Sequence, residues 1–486
     1  MKMERHNRRS IRKRRAEKRK QKIRKLFFAA VLVPSILLAV FAIIFFQKRQ
    51  NEKLLRLEDT KKQETLKQEQ LEKGKQEVEE LYQSYLAERE EAVPAAVEEI
   101  QSFSDWFFET YPEKAKKEML ELASDGKLTK ESVYHAAGES MHVAYDRYKG
   151  YLNDVETAKQ YGIYERDGKK EEQAEVTIAG DLCFAEDGFV LDHYDEVNDL
   201  AQCISPKLLE ITNASDIFYV NHEYAISDRG APLAGKYYTF RAHPKRMELL
   251  KEMGTDLVAL SNNHVYDYGE DAFQDTMKLL KQADIPYVGG GANLEEAKRP
   301  VYFIVNGIKI GFVGASNAEK IRYTPQAGED SSGILLAYDT TAYNQVISDA
   351  AKQCDYLIAY IHWGTEDTND FNDVQQQMGR EFLNSGADIV VGGHPHVLQG
   401  MEYVDGKPIV YSLGDFWFNG ETKYTGLLKL QIDIDGLREM SFVPALQTGY
   451  TTQYLDAEEE QMELFGFLEN LSPNVEIDQT GVIREK

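Results

Sequence analysis

From about residue 172 to residue 400, short apolar runs alternate with amphipathic ones, and this restricts the fold more than any other feature of the chain. VTIAGD, IFYVNHE, DLVALSNNH, DYLIAYIHWG and ADIVVGGHPH read as buried strands. HPKRMELLKEMG, EDAFQDTMKLLKQA and DVQQQMGREFLNSG read as helices between them. Parallel strands need crossover connections, so the pattern predicts an α/β domain with a largely parallel core. Two segments interrupt it, YFIVNGIKIGFVG and MEYVDGKPIVYSLGDF. Asn306-Gly307 and Asp405-Gly406 are favoured two-residue hairpin turns, so antiparallel strands are expected among the parallel ones.

The strand ends share a chemistry. They close on Gly180-Asp181, Asn221-His222-Glu223, Asn262-Asn263-His264, His362, and His394 with His396. In open α/β sheets, ligands bind beyond the carboxyl ends of the strands. A lone His-x-His is often a pair of surface histidines, but five such strand ends are hard to explain as packing, and they hold five of the ten histidines. Mixed imidazole and carboxylate donors suit Zn, Mn or Fe. His264 is followed three residues later by Asp267, a spacing at which a carboxylate can orient an imidazole. If Glu223 points into the site, alternation along the strand turns His222 away. His193 and His243 read as surface residues. GAPLAGK (residues 230–236) matches the opening of a phosphate loop, but Tyr237 stands where Ser or Thr is required and no strand-to-helix context surrounds it. No GxSxG nucleophile elbow is present, which argues against a serine hydrolase.

AGDLCF, NHEYAIS, ALSNNHVYDYG, IHWGTE, GGHPHVLQG and YSLGDFWF, in this order, resemble the CapA/PgsA family of poly-γ-glutamate capsule synthesis proteins over about residues 173–450. That family looks like a branch of the calcineurin-like metallophosphoesterases. The resemblance implies a four-layer α/β/β/α sandwich with metals at the strand ends. It implies Asp181, Glu223, Asn263, His362, His394 and His396 as metal ligands, and His264 as the catalytic histidine, with Asp267 beside it. It also implies poly-γ-glutamate as the polymer served and membrane-bound synthase subunits as partners. The chain departs from the pattern at Cys183, where the superfamily has a ligand histidine, at NHE in place of GDxxD, and at Asp415, where the family usually has Asn. A Cys at 183 reads as a buried apolar thiol rather than a ligand. One tight divalent ion is therefore expected, and a second that is weak or absent.

The 486-residue chain carries a net charge of −24, distributed very unevenly. Residues 1–25 hold fourteen Lys/Arg and two acids, so the remainder is strongly acidic. Directly after this head, Leu26 to Phe46 is a run of 21 uncharged residues, long enough to span a bilayer. A basic cluster before an apolar span stays cytoplasmic, so the head is a topology signal with some attraction to anionic lipid and not a nucleic-acid site. The expected organisation is a basic head (1–25), a transmembrane helix (26–46), a charged helical stalk (47–92), a small helical region (93–170), the α/β domain (171–455) and an acidic tail (456–486). A coiled-coil dimer is the alternative for the stalk. The expected function is a cell-membrane, single-pass protein with its main domain outside, serving capsule polymer synthesis or export with a hydrolase-like metal site. The alternative is a non-enzymatic accessory that binds the anionic polymer or scaffolds the synthase through the metal. Protease added to intact cells should remove everything beyond about residue 47; full protection, with permeabilised cells digested as control, would overturn this topology.

Overall fold

The computed structural model describes residues 162–486 apart from residues 171, 187 and 319–322, together with residues 17–22, 25, 73, 158 and 159. The transmembrane span expected at 26–46 lies outside the described residues, as do all but Lys73 of the stalk and most of the 93–170 region. Among the described residues no helix is long and apolar enough to cross a membrane.

Two mixed sheets face each other. One has seven strands, with Ile308–Ser316, Tyr356–His362, Ile389–Gly393 and Lys407–Val410 running parallel at its centre. The other has ten, and its parallel part runs Ala174–Leu182, Ile217–His222, Leu257–Ala259 and Tyr287–Val288. Each parallel neighbour follows a crossover segment, as the alternation required. Both expected hairpins form. Val301–Val305 turns into Ile308–Ser316 through Asn306 (φ 53°) and Gly307 (φ 78°), and Met401–Val404 turns into Lys407–Val410 through Asp405 (φ 52°) and Gly406 (φ 77°). Positive φ at both central residues is what a type I′ turn demands.

Three large clusters of apolar side chains among the described residues define four layers. Ile178, Tyr219, Phe312, Ile358, Val391 and Leu428 belong to the cluster between the sheets. Helices Pro206–Ala214, Met247–Glu252 and Glu270–Gln282 put Leu208, Leu250, Phe273 and Leu280 against the outer face of the ten-stranded sheet. Helices Thr341–Ala351 and Asp373–Asn384 put Tyr343, Ile347, Met378 and Phe382 against the outer face of the seven-stranded one. The central strands are buried on both sides, so they read as continuous apolar runs.

Elements on either side of residues 171–455 also join the sheets. The seven-stranded sheet starts earlier than residue 171: Ile163–Arg166 pairs in parallel with Val301–Val305, and four residues carry too little periodicity to show as a strand in the sequence. The acidic tail expected at 456–486 is folded. Helix Glu458–Leu471 buries Leu464, Phe465 and Leu468 in the cluster between the sheets, and Val475–Ile477 and Val482–Glu485 extend the ten-stranded sheet. Its acids occupy the outer face and mask the apolar stripe. Leu468 is fully buried, so Leu468→Ala should cost about 2–5 kcal/mol of unfolding free energy. Denaturant titration checks this; a change within about 0.5 kcal/mol, normal for a surface site, would show that the segment is dispensable.

Candidate metal centre

The carboxyl ends of the central strands of both sheets meet at one point. Asp181 arrives on Ala174–Leu182, and Glu223 follows Ile217–His222. Asn263 sits in the turn after Leu257–Ala259, and His362 ends Tyr356–His362. His394 and His396 lie just beyond Ile389–Gly393. All six residues named from the sequence are brought together. Asp181, Glu223 and His362 are fully buried, and Asn263 and His394 nearly so.

The contacts are specific. Asn221 Nδ2 donates to Asp181 Oδ1 at 2.7 Å and to Glu223 Oε2 at 3.1 Å. The backbone N–H of His394 donates to Asp181 Oδ2 at 3.0 Å. His362 Nε2 lies 2.7 Å from Asn263 Oδ1 and 3.3 Å from Glu223 Oε1. His396 Nδ1 lies 2.7 Å from Asp415 Oδ1 and 3.6 Å from Asp181 Oδ2. Three groups of donors lie within 4.8 Å of one another: Glu223 with His394 and His396, Asp181 with His396 and Asp415, and Asp181 with Glu223 and His362. Glu223 Oε1 and His394 Nδ1 are buried without a hydrogen-bond partner. Buried polar atoms are rarely left so, and here they face a ring of mixed oxygen and imidazole donors. That donor set fits a divalent cation of the Mn, Zn or Fe type.

His394 and His396 do not share a strand face. The strand ends at Gly393, and the two histidines occupy a bend at φ 96° and φ 57°, with ring centroids 6.1 Å apart. Left-handed backbone at a non-glycine residue costs roughly 1–3 kcal/mol and persists only where the surroundings enforce it. Gly393 has the opposite constraint. A Cβ there would stand 2.5 Å from the Tyr360 hydroxyl and 2.6 Å from Asp181 Oδ1, so only glycine lets the strand approach the carboxylate.

His264 stands beside the cluster. Its Nδ1 lies 2.6 Å from Asp267 Oδ2, which also accepts the Phe240 N–H at 2.7 Å. The Asp267 contact fixes the ring and leaves Nε2 as its other polar atom, and His264 lines the cleft above the cluster. Asn262 does not reach the donors. Its Oδ1 accepts from the N–H groups of His264 and Val265, each at 3.1 Å, and so shapes the turn. His222 turns away and packs 3.8 Å from the Tyr224 ring. The Cys183 thiol is buried in the apolar cluster outside the ten-stranded sheet, burial holds it well above the ordinary thiol pKa, and it belongs to none of the three donor groups. Cys203 and Cys354 are likewise buried, and the Cys354 thiol donates to the Ala350 carbonyl at 3.3 Å.

Three residues of the site escaped sequence reasoning. Asp415 was visible only as an odd residue in SLGDF, yet it sits against Asp181 in sheet register and bonds His396. Asn221 was read as part of a strand end without a role. Lys236 closes the GAPLAGK segment, which forms no phosphate loop. Its side chain is 5% exposed and lies 2.8 Å from Asp267 Oδ1, and it also donates to the carbonyl of Asn263.

The family model described as bacterial capsule synthesis protein PGA_cap matches residues 175–420, just over half of the chain and all of the donors above. The chain belongs to this family. It is 32% identical over 239 residues to the PGA biosynthesis protein CapA of Bacillus subtilis (strain 168), a match covering 48% of this chain and 62% of that one. It is 30% identical over 285 residues to the capsule biosynthesis protein CapA of Bacillus anthracis, covering 57% and 68%. A probable polyglutamine synthesis accessory protein of Mycobacterium tuberculosis (strain H37Rv) is 30% identical over 211 residues, covering 42% and 55%. The chain thus spans less than two thirds of the Bacillus subtilis protein. Among solved structures, TT1561 of Thermus thermophilus matches with a TM-score of 0.30 at 10% identity, over 54% of this chain and 99% of that one. The 5'-nucleotidase from Candida albicans SC5314 matches with a TM-score of 0.30 at 13% identity, over 56% and 53%. The fold stands on the strand order above and not on likeness at that score.

The protonation states bear on metal binding. Burial, with the neighbouring charge of Glu223, pushes Asp181 up to about 7. Burial pushes Glu223 up to about 7 as well. Burial lowers His362 to about 3 and His394 well below the ordinary value, so both rings are neutral at pH 7. His396 is raised despite its burial, because Asp415 and Glu223 face it. A cation needs the carboxylates ionised, so protons must leave as it binds. Affinity for Mn²⁺, measured by isothermal titration, should fall as pH drops below about 7, by up to about tenfold per pH unit for each proton displaced. A flat profile from about pH 5 to about pH 8 would mean that neither carboxyl titrates in that window.

Proposed function

We propose that this chain is a single-pass membrane protein that holds a metal-dependent hydrolase site outside the cell, in the service of poly-γ-glutamate synthesis or export. The observation that carries the hydrolase reading is the meeting of Asp181, Glu223, Asn263, His362, His394 and His396 at one buried point, with Glu223 Oε1 and His394 Nδ1 making no hydrogen bond. The polymer and the synthase partners rest on family membership and on the names of the Bacillus relatives. The anchor rests on the basic head and the apolar run after it.

Bound at this point, a divalent cation would supply Lewis acidity and a water acidified toward neutral pH. The protein does the remaining work. Asn221 spaces the two carboxylates by bonding both. Asn263 and Glu223 set the direction of the His362 ring. Asp267 holds His264 by Nδ1, so Nε2 is placed to hand a proton to a leaving group in the cleft. Lys236 pairs with Asp267 and holds that carboxylate in place.

His264→Ala should keep most of the bound metal and lose about 10²–10⁴-fold in turnover, whereas His394→Ala should lose the metal. The check is elemental analysis of the dialysed protein beside a hydrolysis screen of phosphoesters and amides with Mn²⁺ or Zn²⁺. Metal loss in His264→Ala equal to that in His394→Ala would make His264 a ligand. Polymer binding without any turnover would replace the hydrolase with a binding accessory.

A further inference from the structure

Above the cluster opens a cleft of about 580 Å³, far more room than a phosphate needs and within the usual range for small-molecule sites. Its lining is of two kinds. Part of it is aromatic, in two groups of rings. The ring of His264 lies 4.4 Å from that of Phe240, and His396 lies 4.7 Å from Phe418. Phe240 and Phe418 meet at 5.5 Å, and Tyr238 stacks on Phe240 at 6.5 Å. At the mouth Phe189 and Tyr450 pair at 5.4 Å.

These outer rings are exposed where burial would be expected. Phe189 is 58% exposed, Tyr238 64% and Tyr450 37%, so three of the eight large exposed hydrophobics among the described residues stand on this one cleft. Tyr450 follows Gly449 in the two-residue turn between Gly436–Thr448 and Thr451–Tyr454, and their φ of 55° and 71° are those of a type I′ hairpin. Trp417 Nε1 fixes that backbone by donating to the Tyr450 carbonyl at 2.8 Å.

The lining also carries three acids, Glu366, Asp367 and Glu421. Histidines aside, Lys423 is the one basic residue among the described lining residues. Its ammonium is already engaged by Glu421 at 2.8 Å, Asp367 at 3.2 Å and Asp415 at 3.7 Å. Such a rim repels a polyanion and accepts hydrogen bonds from neutral donors. A ring with an apolar face and hydroxyl donors on its edge suits both parts of this lining.

We propose that the cleft binds a sugar ring carried on a phosphate, with the ring against Phe189, Tyr450 and Tyr238, its hydroxyls toward the lining carboxylates, and the phosphate at the metal cluster. The phosphate half rests on the metal-site reading above; the ring half does not. The test uses the full-length chain in detergent and isothermal titration with five probes: N-acetylglucosamine 1-phosphate, free N-acetylglucosamine, inorganic phosphate, adenosine monophosphate and a short γ-linked glutamate oligomer. With Mn²⁺ present, the sugar phosphate should bind about tenfold more tightly than inorganic phosphate, the scale of one or two ring contacts. Free N-acetylglucosamine should compete with it, and should still bind when the metal is chelated. Phe189→Ala combined with Tyr450→Ala should bring the sugar phosphate down to the affinity of inorganic phosphate, with an unchanged melting temperature showing the variant folded. Tyr237→Ala, at a ring that is 89% exposed and off the cleft lining, should leave binding as it is. Equal affinity for sugar phosphate and inorganic phosphate would overturn the proposal, as would tighter binding of the nucleotide or of the glutamate oligomer. Binding of the free sugar without any phosphate binding by the Mn²⁺-loaded protein would uphold the ring half and count against the metal-site reading instead.

Discussion

The Asp181 carboxylate ties the two halves of the sandwich together. It is carried by the ten-stranded sheet, and one of its oxygens accepts the N–H of His394, 213 residues away at the end of a strand of the other sheet. Its second oxygen is held by Asn221 of the neighbouring strand. A buried carboxylate without such partners would be strongly destabilising. With them it becomes the fixed point around which the strand ends assemble. Gly393 follows from it, since any side chain there would collide with Asp181. The bend at His394 and His396 follows as well, because the chain must turn sharply once it has delivered that N–H.

Around this point the site is a balance of opposing charges. Asp181, Glu223 and Asp415 bring acid into a dry pocket, and His362, His394 and His396 bring rings that burial alone would keep neutral. In the protein by itself the surplus is met partly by protons and partly by Asn221, which bonds both Asp181 and Glu223. Two donors, Glu223 Oε1 and His394 Nδ1, are still left over. A divalent cation at this point would resolve that surplus in a single step.

Much of this was legible in the sequence, for a physical reason. Central strands of an α/β sandwich are buried on both faces, so polar residues survive only at their ends, and an Asp or His closing an apolar run stands out. What stayed hidden was whatever lacked a period or a sign. Lys236 lies in an irregular loop, and nothing in GAPLAGK announces that its last side chain turns inward. Asp415 differs from the expected Asn by one atom type. The strand Ile163–Arg166 is four residues long. The segment after residue 456 hides three buried apolar residues behind a run of glutamates. The left-handed backbone at His394 and His396 cannot be inferred from side-chain alternation, because it is imposed by contacts from the opposite sheet.

The turn that carries these two histidines has a consequence for how the molecule comes together. Its backbone is unfavourable by itself and is held by a hydrogen bond to the opposite sheet. Neither sheet alone can therefore shape it. The donors on the ten-stranded sheet can be in place as soon as that sheet exists, while those on the turn reach position only after the two layers have docked. A newly made chain would thus acquire its capacity to hold a cation late, as a certificate of completed assembly, and a half-built domain would offer the cell's metal pool very little to seize.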